Sequence, residues 1–288
     1  MAGRLRDDVG RLTITCPDRP GIVATVAGFL AGQGANVVHA DQHSTDSEGG
    51  RFFMRVEFHL PDLRRREAPL AAQFGVVARS FGMEWELSRE DELPTVAIFA
   101  SRSDHCLLDL LWRWRRGELP MRVAFVASNH QVLRRDVETF ELQFQYVPMD
   151  DPAAGEEQLL RLLAQHNVNL VGLARFMRIL SADFLRRCGC PLINIHHSFL
   201  PAFAGADPYR AAYERGVKLI GATAHYVTAE LDAGPIIDQE TVAVTHRDNP
   251  TEMKRVGADL ERVVLARAVR WHLERRILLD GQRTVVFR

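Results

Sequence analysis

The stretch Arg89-Glu-Asp-Glu-Leu-Pro-Thr-Val-Ala-Ile-Phe-Ala100 joins two different kinds of sequence. Its charged run closes on Pro94, which cannot continue a regular ladder, so it reads as a hinge between domains. After the hinge, residues 96–100 form a short apolar run and 104–115 a helical pattern. The alternation then repeats, with strands at 123–127, 144–147, 170–174 and 192–196 and helices at 131–140, 155–165 and 179–187. Short strands alternating with helices predict a mostly parallel, Rossmann-like α/β sheet covered on both faces, with ligands bound beyond the carboxyl ends of its strands. Farther on, 218–227 and 236–244 read as paired strands and 248–279 as a long terminal helix.

Before the hinge the pattern is different. Leu12, Ile14 and Cys16 alternate with Thr13 and Thr15, as in a half-buried strand. Ile22, Val23, Val26, Phe29 and Leu30 recur at helical spacing, and a strand follows over 36–42. Phe52, Met54, Val56, Phe58 and Leu60 alternate with Phe53, Arg55, Glu57 and His59, the clearest strand in the chain. Leu70, Phe74 and Val77 mark a second helix and 83–87 a last strand. The order βαββαβ predicts a ferredoxin-like unit, an antiparallel sheet with two helices on one face. The expected division is therefore residues 1–90 and 91–288.

Composition narrows the function. The chain has 288 residues, 47% hydrophobic and 25% charged, so it buries a large core and is not a disordered polymer. Lys plus Arg is 36 against 37 Asp plus Glu, which leaves no field for nucleic acid or an anionic membrane. The uncharged stretch 20–40 is broken by Gly21, Gly28, Gly32 and Gly34 and is too short to span a bilayer. The N-terminus lacks the apolar core of an export signal. Cys16, Cys106, Cys188 and Cys190 form neither a metal quartet nor a disulfide framework and suit a reducing cytoplasm. Ser101-Arg-Ser-Asp-His105, after the first strand beyond the hinge, has none of the glycines a dinucleotide fold needs there, and no P-loop occurs elsewhere.

Two clusters carry candidate chemistry. In Ile193-Asn-Ile-His-His-Ser-Phe-Leu-Pro201, residues two apart share a face, so Asn194 and His196 project together at the carboxyl end of a parallel strand while His197 points elsewhere. An amide beside an imidazole can stabilise an oxyanion and move a proton in one site; a core Asn and His satisfied by backbone fit the same pattern. In His225-Tyr-Val-Thr-Ala-Glu-Leu-Asp-Ala-Gly-Pro-Ile-Ile237, Asp232 sits in a loop before Ala-Gly-Pro and can orient a histidine or a water, or simply begin a turn. His225 belongs to the preceding strand. Adjacent His196 and His197 point to opposite faces and rarely share an ion, and no metal-ligand spacing is present, so no metal is expected.

These motifs resemble a known family. Asn194-Ile-His196-His-Ser198 with Leu200-Pro201, and His225 through Gly234-Pro-Ile-Ile237 around Asp232, are similar to folate-dependent formyltransferases. Cys16-Pro-Asp-Arg-Pro-Gly-Ile22 and Asp41-Gln-His-Ser44 look like an ACT regulatory domain. In this order, over about residues 11–288, the two together resemble the formyltetrahydrofolate deformylase family. The resemblance implies hydrolysis of 10-formyltetrahydrofolate to formate and tetrahydrofolate, serving one-carbon balance and purine synthesis, with the folate as substrate and no cofactor. It implies Asn194 as oxyanion donor, His196 as proton-transfer group and Asp232 as the carboxylate that fixes His196 and the attacking water. It also implies substrate contacts from Met177, Arg178, Ile179, Leu180, His197, His225 and Glu230. At the ACT unit it implies an amino-acid effector near Asp18, Arg19 and Gly21, facing Asn36, and a homo-oligomer. The chain departs from the family's usual Lys at Ala204, Asn at Asp207 and His near Gln145-Tyr146. The alternative is a folate-dependent formyltransferase acting on an amine; the glycine-free Ser101–His105 segment argues against the phosphate loop that relatives acting on glycinamide ribonucleotide carry.

Overall fold

The structure is a computed structural model that describes residues 7–46, 48–202 and 208–288. Ala204 and Asp207 lie outside the described residues. The chain divides into two compact units. One is built on the residues up to 93 together with 274–280 and 285–288; the other on 94–273 together with 281–284.

The first unit runs β1 (Val9–Pro17), α1 (Ile22–Gly32), β2 (Asn36–Ser44), β3 (Arg51–His59), α2 (Leu63–Phe81) and β4 (Glu84–Arg89). Its four strands are antiparallel in the order β2-β3-β1-β4. This is the expected βαββαβ arrangement. Leu12 and Ile14 of β1 and Phe52, Met54, Val56 and Phe58 of β3 meet Val26, Leu30, Leu70 and Phe74 of the helices in one core. Period-two alternation puts the even-numbered residues of β3 on the helix side of the sheet.

The other face of β3 departs from expectation. Phe53 is 0% and Arg55 1% exposed, although two helices on one face leave the opposite face open. The expected terminal helix ends early. Arg275 turns left-handed (φ 56°), and the chain forms a hairpin of β12 (Ile277–Asp280) and β13 (Arg283–Val286). Leu278, Val285 and Phe287 pack on Phe53. Arg55 donates from Nε to the Glu274 carbonyl (3.1 Å) and from Nη2 to Glu57 Oε2 (3.0 Å). The last residues of the chain thus cluster with the first unit, and the expected second domain at 91–288 is overextended. The apolar run Ile277-Leu-Leu279 is too short for periodicity to separate helix from strand.

The second unit runs β5 (Thr95–Ala100), α3 (His105–Arg115), β6 (Arg122–Ser128), α4 (Arg134–Glu138), β7 (Phe144–Tyr146), α5 (Pro152–Gln165), β8 (Leu170–Ala174), α6 (Ala182–Arg187), β9 (Leu192–His196), α7 (Pro208–Arg215), β10 (Leu219–Tyr226), β11 (Ile236–Ala243) and α8 (Pro250–Leu273). Seven strands form one sheet in the order β11-β10-β9-β8-β5-β6-β7. The strands from β9 to β7 are parallel, and β10 runs antiparallel to both β9 and β11. The mostly parallel sheet is as expected. Besides α8, other helices differ: the second helix after the hinge shrinks to α4, α7 has too few apolar positions to be seen in the sequence, α5 begins earlier than expected and α6 later. Ser181 caps α6 by accepting the Phe184 N–H (3.0 Å). That cap leaves residues 175–180 outside any helix or strand.

Among the described residues no helix is long and apolar enough to cross a membrane. Leu278→Ala is expected to lower the free energy of unfolding by about 2 kcal/mol, the low end for a buried leucine because its cluster is small. Urea denaturation measures this; an unchanged midpoint would contradict the view that the hairpin closes the first sheet.

Candidate active site

At the carboxyl end of β9 the register places His225 of β10 opposite Asn194 and Thr223 opposite His196. Asn194 Nδ2 lies 3.2 Å from His225 Nε2, and His225 Nδ1 lies 2.9 Å from the Tyr226 carbonyl. A carbonyl only accepts, so Nδ1 is the donor in that contact, and Nε2 faces the Asn194 amide. One Asn194 N–H is thereby committed and the other is left for a ligand. Thr223 steadies the chain just after His196: its hydroxyl donates to the Ser198 carbonyl (2.8 Å) and accepts the Leu200 N–H (3.0 Å).

Asp232 reaches both histidines. Its Oδ2 is 3.3 Å from His196 Nδ1 and its Oδ1 3.6 Å from His225 Nε2. The loop between β10 and β11 delivers it there through two backbone devices. Asp232 adopts a left-handed conformation (φ 53°), which Asp tolerates better than most residues. Gly234 passes so close to the Tyr226 carbonyl that a Cβ would sit 1.8 Å from its oxygen. The His196 and His225 interactions hold the Asp232 carboxyl well below the usual carboxylate range, outweighing the opposite effect of burial. With Nδ1 turned to Asp232, His196 Nε2 is buried and has no partner among the described residues.

A cavity of about 390 Å³ opens on this group. Met177, Arg178, Ile179 and Leu180 form one wall and Glu230, Leu231 and Asp232 another, with His197 and His225 also lining it. Every residue named from sequence for catalysis or substrate contact therefore meets in one cavity. Met177, Ile179 and Leu231 expose apolar side chains at its walls, as a ring-stacking ligand requires. Gln145 and Tyr146 stand on β7 at the sheet edge, away from these walls.

Sequence reasoning missed two supports. Ser101 Oγ accepts the Met177 N–H (2.9 Å) and donates to Asn129 Oδ1 (2.7 Å). Arg175 begins the cavity wall in a left-handed conformation (φ 62°), which costs a non-glycine residue about 1–2 kcal/mol. The available signals were a serine ending a buried strand and an arginine set in the apolar frame Leu173-Ala-Arg-Phe176. His105, Cys106 and Glu261 offer ligand atoms within 4.8 Å of one another. They fit a metal poorly, because burial raises the Cys106 thiol and Glu261 is already shared by His105, Tyr209 and Arg175.

The regulatory set in the first unit is split. Asp18 accepts a hydrogen bond from Ser44 Oγ, Arg19 donates to the Ser80 carbonyl and lies 4.2 Å over the Phe81 ring, and Gly21 opens α1. Asn36 pairs with His59 while Ser44 pairs with Phe52, so the two ends of β2 stand roughly 26 Å apart at about 3.3 Å per residue. Within one chain, Asp18, Arg19 and Gly21 do not face Asn36.

Comparison with known proteins agrees with this architecture. Residues 95–269 match the formyl transferase family and residues 10–73 the ACT domain. The chain is 50% identical over 283 residues to a formyltetrahydrofolate deformylase of Bacillus subtilis (strain 168), covering 98% of this chain and 94% of that protein. The crystal structure of a formyltetrahydrofolate deformylase from Pseudomonas syringae superposes with a TM-score of 0.91 at 48% identity, covering 97% of this chain and 94% of that one. A glycinamide ribonucleotide transformylase from Symbiobacterium toebii matches only 68% of this chain, with a TM-score of 0.63 and 32% identity. The chain belongs to the formyltetrahydrofolate deformylase family.

Because its folded-state pKa is depressed, Asp232 contributes stability above its unfolded value of about 3.9, and that contribution is lost as pH falls through the folded value. Asp232→Asn is therefore expected to lower stability at pH 7, with the gap to the parent narrowing below about pH 4. Urea titrations across that range measure it; a gap independent of pH would show that the carboxylate charge is not what the histidines hold.

Proposed function

We propose that this chain hydrolyses 10-formyltetrahydrofolate to formate and tetrahydrofolate at the Asn194, His196 and Asp232 cluster. The observation that carries the reading is the bare, buried Nε2 of His196, whose other nitrogen is turned to an ionised Asp232. Near full-length identity to deformylases supports it.

The chemistry follows from the geometry. His196 Nε2 takes a proton from water as its oxygen bonds to the formyl carbon, and the carbonyl π pair moves onto oxygen. The free Asn194 N–H donates to that oxyanion, and Asp232 stabilises the imidazolium. The imidazolium then returns its proton to N10 as the C–N10 bond breaks with its electron pair on nitrogen. Formic acid leaves and ionises to formate, and His196 is neutral again. No cofactor is needed for this balance. The apolar walls at 177–180 and 231 receive the pterin ring, whose amide edge matches backbone donors and acceptors of a segment outside regular structure.

Transfer to an amine is the less favoured reading, since the transformylase likeness covers 68% of this chain whereas the deformylases cover 97–98% of it. The ACT unit binds a small amino-acid effector through the Asp18–Gly21 loop. It pairs with a second copy along β2, an edge strand with Val37 and Val38 both exposed. Four free cysteines fit a cytoplasmic setting.

Purified protein is expected to release formate from 10-formyltetrahydrofolate at a rate unaffected by added amines. Asn194→Ala should cost about 10²–10³ in kcat and His196→Ala about 10²–10⁴. Formylated amine in place of formate, or near-normal turnover in both variants, would overturn the reading. Glycine and methionine titrations, with sedimentation of the full chain, test the effector and the assembly.

A further inference from the structure

Glu261 is a carboxylate on the apolar stripe of α8, in line with Met253, Gly257, Val264, Leu265 and Ala268, and only 2% exposed. A buried charge there is costly unless paired, and this one is paired on both oxygens. Oε2 lies 2.9 Å from His105 Nε2 at the start of α3 and 3.3 Å from Arg175 Nε; Oε1 accepts the Tyr209 hydroxyl (2.7 Å) from α7. Gly257, one turn earlier, makes room for Tyr209: a Cβ there would sit 1.9 Å from the phenol oxygen. Glu261 does not line the active-site cavity, whereas Arg175 does. Arg175 is also the left-handed residue through which β8 becomes the wall 176–180. The contact between Arg175 and Glu261 falls outside hydrogen-bond alignment, so it acts as an ion pair that fixes where the guanidinium lies.

We propose that Glu261 is a positioning residue for the folate: by holding the Arg175 guanidinium beneath the sheet end, it fixes the backbone turn that aims residues 176–180 into the cavity. The Ser101 hydroxyl on the Met177 N–H holds the same wall two residues after Arg175, so the wall hangs from two anchors. Glu261 is held ionised: burial pushes its carboxyl up, but His105, Arg175 and Tyr209 together bring it below its ordinary value. The turn therefore depends on a charge and not only on shape. Neutralising Glu261 leaves a buried guanidinium without its counter-charge, and the cheapest relief is for Arg175 to swing out, carrying the wall with it.

This inference rests on the folate reading of the cavity, and its test does not need turnover. Tetrahydrofolate binding by calorimetry and hydrogen exchange by mass spectrometry are measured on the full chain and on Glu261→Gln. The expected result is about tenfold weaker binding, the scale of coupling carried by one supporting contact, with faster exchange confined to residues 175–181. Tyr209→Phe removes one hydrogen bond but leaves the ion pair, so its binding should change by less than about twofold. Equal weakening in Tyr209→Phe, or unchanged binding and exchange in a folded Glu261→Gln, would overturn the proposal. Should Glu261→Gln fail to fold, Arg175→Gln, in which Glu261 keeps His105 and Tyr209, must show the same local exchange, and its absence would equally overturn it. A parent chain that binds tetrahydrofolate yet releases no formate would instead refute the functional reading alone.

Discussion

One ionised carboxylate between two imidazoles organises the second unit's active end. Asp232 faces His196 on one oxygen and His225 on the other, and each consequence follows from the valence of those groups. Turning His196 Nδ1 to a carboxylate leaves Nε2 as a bare lone pair. Placing His225 between Asn194 and Asp232, with its own Nδ1 on a carbonyl, ties the amide's orientation to the same loop. Strain at a left-handed Asp232 and the close passage of Gly234 are tolerated because the two histidine contacts over-determine the loop.

The cavity wall opposite Asp232 uses the same physics at a second place. Arg175 is left-handed like Asp232, sits at a strand end like His196, and is held by a buried group of opposite charge. Both walls of the cavity are thus irregular backbone pinned to regular elements through a charged side chain. Irregular backbone leaves peptide groups for a planar, hydrogen-bonding ligand, and the pins keep those groups from collapsing onto one another. The rigid sheet supplies the reacting side chains and the pinned loops supply the ligand's surroundings.

The first unit solves a different problem. A four-stranded sheet with helices on one side has a second face to cover, and β3 commits Phe53 and Arg55 to that face. The chain's own terminal hairpin covers it with Leu278, Val285 and Phe287, and the Glu274 carbonyl satisfies the buried guanidinium. What remains open is the edge strand β2, whose Val37 and Val38 are exposed on both faces.

Much of this was legible from local chemistry. Local pattern located the four strands before the hinge and the parallel run of the second unit, most clearly where a buried face repeats, as in β1 and β3. Two-residue spacing placed Asn194 and His196 on one face, and the family motifs named Asp232 and His225. What the sequence could not decide depends on contacts between residues far apart in the chain. Nothing near Ile277 says that it will turn back as a strand onto Phe53, since a short apolar run satisfies either geometry until a partner surface exists. The Asp18–Gly21 loop was expected to face Asn36 at the start of the next strand, yet the pairing of β2 with β3 and the Asp18–Ser44 contact set them at opposite ends of the sheet. Nothing in the sequence singles out Glu261, and only the packing of α3, α7 and α8 around Arg175 makes it a buried counter-ion. Local pattern determines which elements form and which face each one buries; which distant group satisfies a buried charge or an open face is decided only when the elements meet.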